Sequence, residues 1–325
     1  MPSMLSLKTD ASTAMRRASL PGAVAAIVIA AAGACGGAAP QDPPPAADAQ
    51  VKAVEQWRAK HEADYRRDWV TIAGLHDLKP GRNSAGSAAS NDIRLPASVP
   101  PAFGRFVLEG QRVRFEPGPG VPATLKGQPV TTAIALKDDG GPQADELVVG
   151  DVRLVVHVSG DRRSIRVRDP NGELARGFLG FTWFPIDAQY RVTGRFIKDA
   201  EPRRVAVPNT LGDMDTYTTD GVVEFTLLGQ TLRLRPFTTR PKRFYFVFRD
   251  ASSGQETYEA ARFLYSTLLD DGTTVLDFNE AYNPPCAFNP HTTCPIPLKE
   301  NRLPVKILAG EKAYPIHVPL PVRRP

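Results

Sequence analysis

Cysteine is scarce in this sequence, three among 325 residues, and methionine and tryptophan are hardly commoner at four and three. Three cysteines cannot staple a disulfide-dense fold, so the chain must depend on an ordinary hydrophobic core. Charge of one sign is also missing. Lys and Arg number 40 against 35 Asp and Glu, and the small excess is spread along the chain. A nucleic-acid surface needs its basic residues concentrated, so no nucleic-acid partner is expected. Past residue 35 no apolar run is long enough to span a bilayer. There is no P-loop, no dinucleotide-binding glycine pattern and no G-x-S-x-G nucleophile elbow. The five histidines (His61, His76, His157, His291 and His317) show no local partner pattern, and the H-E-x-x run at His61 ends in Tyr65, where a zinc protease needs histidine. No metal and no cofactor are expected.

What the chain does have begins with an address. Arg16 and Arg17 precede an apolar run from Ala23 to Ala34, and small residues lead into Cys35. A basic start, a short apolar stretch and a small-residue end make a signal peptide over residues 1–35, too short for a spanning helix. Cys35 after small residues resembles a bacterial lipobox, with Ala32 where Leu is usual, which implies lipidation of Cys35; ordinary signal-peptidase cleavage near the same place is the alternative. Residues 36–49, rich in Gly, Ala and Pro, form a tether with nothing to bury. The expected location is therefore outside the cytoplasm, as a lipoprotein held to a membrane and facing the periplasm. Residue 37 is Gly and not the Asp associated with inner-membrane retention, which leans towards the outer membrane.

Residues 50–325 read as a β-rich domain, divisible into two intimate subdomains at 50–160 and 161–325. Val51, Val54, Trp57, His61 and Tyr65 recur at helical spacing, which predicts an amphipathic helix from Gln50 to Asp68. Short strands follow. Trp69–Ile72 leads, before a turn-rich connection from Gly74. Hairpins are predicted for Arg105–Leu108 with Val113–Phe115, for Glu146–Val149 with Val152–Val158, and for Val222–Leu227 with Thr231–Leu234. Ser164–Arg168, Phe178–Phe184, Tyr190–Ile197 and Arg243–Phe248 are further strands, and Glu256–Leu264 is a second candidate helix. The sum is a mainly β fold, an antiparallel sandwich or barrel with one helix at its start.

The most distinctive stretch runs from Val275 to Asn301. It starts as a strand and becomes a rigid polar loop with five prolines and with Cys286 and Cys294 eight apart. In an oxidising compartment that pair reads as a disulfide. The alternatives are two free thiols or a metal site of Cys286, His291 and Cys294. Upstream, Arg249 and Asp250 sit at the mouth of a predicted core strand, near Thr257, Tyr258, Arg262 and Tyr265. Together with Asp277, Asn279 and Tyr282 they could line a pocket for a carboxylate, phosphate or sugar, or form a buried ion-pair network that ties strand ends to loops. Arg166, Arg168 and Asp169, near Trp183 and Tyr190, would extend such a pocket or belong to the solvated face of an edge strand.

Two resemblances add to this. Asn83–Pro96 resembles part of a forkhead-associated domain, but Ser87 replaces the expected Arg and no Ser-x-x-His follows, so phosphopeptide binding does not carry over. More of the chain is similar to a bacterial family known only as domain of unknown function 1684. The matching pieces include W-V-T-I-A-G-L-H-D-L-K-P-G from Trp69, F-R-D-A-S-S-G-Q-E-T-Y from Phe248, and L-D-F-N-E-A-Y-N-P-P-C-A-F from Leu276. That family implies no chemistry. Three functions therefore stand open: a module binding a small polar or anionic ligand at the cell envelope, a hydrolase using Asp277 or His291 as base, and a structural envelope protein.

Overall fold

The computed structural model describes residues 47–318; the predicted signal peptide, Cys35 and most of the tether lie outside them. The described residues begin with helix α1 (Ala47–Asp68), which has Asp48 in its first turn and Arg66 and Arg67 in its last. Each charge opposes the helix dipole at its own end. Val54 and Tyr65 are buried, whereas Val51 on the expected apolar stripe is exposed.

The first half of the domain holds strands β1 (Ile72–Asp77), β2 (Gly81–Gly86), β3 (Ile93–Arg94), β4 (Gly104–Glu109), β5 (Arg112–Pro117) and β6 (Thr124–Leu125). It continues with β7 (Gln128–Pro129), β8 (Ile134–Leu136), β9 (Glu146–Val149), β10 (Val152–Ser159) and β11 (Arg162–Arg168). They form a six-stranded sheet, β1-β11-β10-β9-β6-β7, and a five-stranded sheet, β3-β2-β4-β5-β8. One hydrophobic core, drawn from residues 78 to 167, lies between their apolar faces.

After the short helix α2 (Glu173–Gly177), the second half contributes β12 (Arg191–Pro208), β13 (Met214–Leu227), β14 (Gln230–Leu234) and β15 (Phe237–Arg240). Strands β16 (Arg243–Phe248), β17 (Arg262–Thr267) and β18 (Thr273–Asp277) complete it. Their sheets are β14-β13-β12-β18 and β15-β16-β17. All strand pairs among the described residues are antiparallel except β2 with β3. The fold is mainly β, as expected, and the three predicted hairpins form with their residues paired. Gly150, at φ 56°, supplies the left-handed turn that β9 and β10 require. Among the described residues no helix is long and apolar enough to cross a membrane.

Three expected elements differ. The first strand starts only at Ile72, because the Trp69 and Val70 N–H groups both donate to the Tyr65 carbonyl and close the helix. It then runs through Gly74-Leu-His-Asp, expected to be a connection, since β11 offers it a full edge. Phe178–Phe184 is no strand: its aromatic rings are spent on a third core around α1, and only Trp183 makes a bridge, to Glu311. Glu256–Leu264 is no helix either. Ser252 accepts from the Gln255, Glu256 and Thr257 N–H groups in a tight turn, and from Arg262 the chain pairs with the whole length of β16.

The long polar loop after β18 holds these parts together. Asn279, Asn283, Asn289 and Asn301 are all fully buried in it. Asn289 donates to the Trp69 and Ile72 carbonyls, at 3.0 and 2.8 Å, and Asn301 to those of Arg235 and Val247, at 2.8 and 3.0 Å. Asn289 and Asn301 also accept from the His291 and Arg235 N–H groups, so both amides are saturated and act as rigid staples, which explains why they are folded inward.

Candidate functional site

The residues singled out in the sequence separate into two groups. Arg262 and Asp250 form an ion pair at 2.8 Å with both side chains wholly removed from solvent. Arg262 also donates to the Ile307 carbonyl at 3.0 Å and to that of Ala309, while Asp250 accepts from the Ser252 N–H at 2.8 Å. Thr257 is buried with its hydroxyl 2.8 Å from that of Ser252, and Tyr258 donates to the Cys286 carbonyl at 3.3 Å. Half-buried Arg249 engages the C-terminal segment through its backbone, bonded to Asn301 and Leu303. None of these five residues lines either of the two cavities that adjoin α1.

Asp277 and its neighbours do face one. A cavity of about 480 Å³ opens between the first half of α1 and the edges of β12, β16, β17 and β18. Asp277 ends β18 and caps the turn that follows: its Oδ1 accepts from the Asn279 N–H at 3.1 Å and the Asn279 Nδ2 at 2.9 Å. The other oxygen, Oδ2, lies 3.5 Å from Gln50 Nε2 and 3.6 Å from Arg191 Nε. Asn279 itself is buried beneath, bonded to the Asp187 backbone, and Tyr282 packs under α1 with its ring 4.4 Å from that of His61. Arg58 locks the helix in place by donating to the Phe184 and Asn279 carbonyls, each at 3.1 Å.

Glu280 completes the cavity and was not singled out in the sequence. Burial, and then the Asp277 charge, push its carboxyl up to about 7, against the pull of Arg191, Arg243 and Arg58. It makes no hydrogen bond or ion pair among the described residues. Arg243 lies with its guanidinium 4.8 Å from the centre of the Tyr265 ring, and Tyr265 and Trp57 offer aromatic surface to the cavity. The site thus holds two carboxylates, two guanidiniums and two aromatic rings. The spacing D-x-x-E at the end of a strand was the available signal. Arg191, Arg243 and Trp57 come from segments too remote for sequence to join.

Cys286 and Cys294 stand as free, buried thiols, and the expected disulfide is not formed here. The two are adjacent: the Cys286 N–H donates to Cys294 Sγ at 3.3 Å, and burial raises the Cys286 thiol well above its ordinary range. His291 stands beside His76, and burial lowers its pKa. No three His, Cys, Asp or Glu side chains converge as metal ligands among the described residues. Arg166 belongs to neither cavity. It is buried, donating to Asp139 at 2.9 Å, and His157 bridges Asp139, at 2.8 Å, to Thr293, at 3.0 Å. Arg168 opens into a second cavity and Asp169 caps a turn at Asn171, so the two do not join Trp183 and Tyr190.

The fold and the site define a β-rich protein with a small, charge-balanced cavity under its N-terminal helix. Residues 176–312 match the family described as "Protein of unknown function (DUF1684)". The matched residues include all the strand and loop positions of the cavity, but not its helix. Among solved structures the chain is similar to an uncharacterized protein of Haloarcula marismortui, at 30% identity, covering 43% of this chain and 80% of that one with a TM-score of 0.37. It is also similar to a forkhead-associated domain studied for phosphothreonine-dependent interactions, at 20% identity over 29% of this chain and 93% of that one, TM-score 0.21. Mycobacterium tuberculosis EmbR, solved with a low affinity phosphopeptide, matches at 17% identity over 38% of this chain and 32% of its own, TM-score 0.21. No curated protein matches the chain.

Proposed function

We propose that this protein is an exported lipoprotein, anchored through Cys35, whose domain binds a small polar ligand in the cavity beneath α1. The observation that carries the reading is Glu280. A carboxyl group that burial holds near pH 7, without a hydrogen bond or ion pair among the described residues, is costly to keep for packing alone. A ligand supplies the missing partner. Two carboxylates opposed by Arg191 and Arg243 suit a neutral, hydroxyl-rich or zwitterionic molecule better than a strongly charged one. Tyr265 and Trp57 line the cavity and give such a molecule apolar surface to contact.

Native mass spectrometry of protein purified from a periplasm, followed by titration with small sugars and amino acids, tests the reading. Wild type should carry or capture a ligand in this class. Glu280→Gln and Arg243→Gln should each weaken it at least tenfold while leaving the fold intact. Binding that both variants retain would place the ligand elsewhere.

A second reading rests on the same carboxylates. One carboxyl held near 7 beside a second carboxyl group is the arrangement general acid–base catalysis uses. Hydrolysis of a bound glycoside or ester, lost in both Glu280→Gln and Asp277→Asn, would favour a hydrolase.

A further inference from the structure

A second cavity, of about 450 Å³, lies between the last turns of α1 and strands β10 and β11, and shares no residue with the first. Arg66 and Arg67 reach it from the helix, and Arg153 and Arg168 from the strands, against one acid, Asp151. The helix arginines are matched on their own turns. Arg66 pairs with Glu62 at 2.7 Å, and Arg67 with Asp64 and Asp68 at 3.0 and 2.6 Å.

The strand arginines are not matched. Arg153 and Arg168 stand directly opposite one another in the β10–β11 ladder. Arg153 makes no ion pair or hydrogen bond among the described residues. Arg168 approaches only Glu146, at 4.0 Å, and its Nε is buried without a hydrogen-bond partner. Asp151 holds Asn171 Nδ2 at 3.2 Å and gives neither arginine a partner. Like charges directly opposite on antiparallel strands weaken the pairing. A buried guanidinium N–H with no acceptor adds a desolvation penalty. One bound group relieves both costs: an anion with several oxygens, which planar guanidinium forks grip two at a time.

We propose that this cavity binds a phosphate group, bridged between Arg153 and Arg168 with Arg66 and Arg67 beside it. The same chemistry is offered by a free phosphate compound and by a lipid headgroup, and two probes separate them. Calorimetric titration with pyrophosphate at constant ionic strength tests the first. Co-sedimentation with phosphatidylcholine vesicles, with and without phosphatidylglycerol, tests the second. Wild type should bind at least one probe, and an Arg153→Gln/Arg168→Gln double variant should bind it at least tenfold more weakly. Arg168→Lys should fall between, because it keeps the charge and loses the fork. In chloride buffer the double variant should unfold at the same temperature as wild type or higher, since it removes a repulsion. Binding of pyrophosphate identifies a soluble ligand, and binding of anionic vesicles alone identifies a headgroup. No binding of either probe by wild type, or binding that the double variant keeps, would overturn the proposal.

Discussion

Replacing Arg262 by alanine tests how this fold uses its most buried charge. The side chain has no solvent exposure, and neither does its partner Asp250. Truncation would leave the Asp250 carboxylate in the interior with backbone N–H donors but no counter-charge, and would strip the Ile307 and Ala309 carbonyls of a donor. Breaking a buried ion pair from one side costs about 3–5 kcal/mol, because the stranded charge cannot return to water. The orphaned carbonyls add about 1 kcal/mol or more. The sum, roughly 5 kcal/mol, is a large share of the ~5–15 kcal/mol that stabilises a typical protein. For a domain of this size about 2–4 °C of melting temperature accompanies each kcal/mol, so a fall of roughly 10–20 °C is expected by calorimetry. Arg249→Ala is the control: only its backbone is bonded, and it should cost below about 1 kcal/mol. An Arg262→Met/Asp250→Leu double variant should recover much of the loss, since an apolar pair of similar volume avoids desolvating charge. If Arg262→Ala lowered stability by less than about 1 kcal/mol, the network would not be holding the C-terminal segment to β16 and β17, and the reasoning would fail.

Two further outcomes follow from the titrating groups and the thiols. Glu280 and Glu311 are raised by burial to about 7 and about 8. The stability each contributes is therefore complete below the unfolded value near 4.5, and is lost as pH rises through the folded one. Buried His61, lowered to about 4, acts in the opposite sense below pH 6.5. Because two groups lose stability where one gains it, urea unfolding should show stability falling from about pH 5 to about pH 8, less steeply below pH 6.5, where His61 opposes the carboxyls, than just above it. The fall should be shallower in Glu280→Gln, by at most about 3 kcal/mol, and an unchanged slope in that variant would refute the assignment. As for the cysteines, thiol reagents should leave Cys286 and Cys294 unmodified in the native protein, since both are buried. After denaturation without reductant, protein from the cytoplasm should be labelled at both. Protein from an oxidising periplasm should resist, if the adjacent thiols join there as the sequence suggests; equal labelling of the two samples would argue against the bond.

Much of this protein was legible along the chain because it depends on neighbours in sequence. Alternation and a turn residue are local, so the three hairpins could be read with their partners, and helical spacing revealed α1. The rigid loop after β18 could be recognised by its prolines and asparagines. What those asparagines are for could not: each donates to a backbone carbonyl of a segment far away, as Asn289 does to Trp69 and Ile72. Phe178–Phe184 has the composition of a strand, and only the third core shows that its rings are used for packing instead. The candidate pocket shows the same division. Asp277, Asn279 and Tyr282 were visible because they crowd one short stretch. That Arg262 and Asp250 neutralise each other in the interior, while Glu280 is left beside a cavity with Arg191 and Arg243, was decided only when β12, β16, β18 and α1 packed together. Burial and proximity set the charge state of a side chain, and both belong to the tertiary structure.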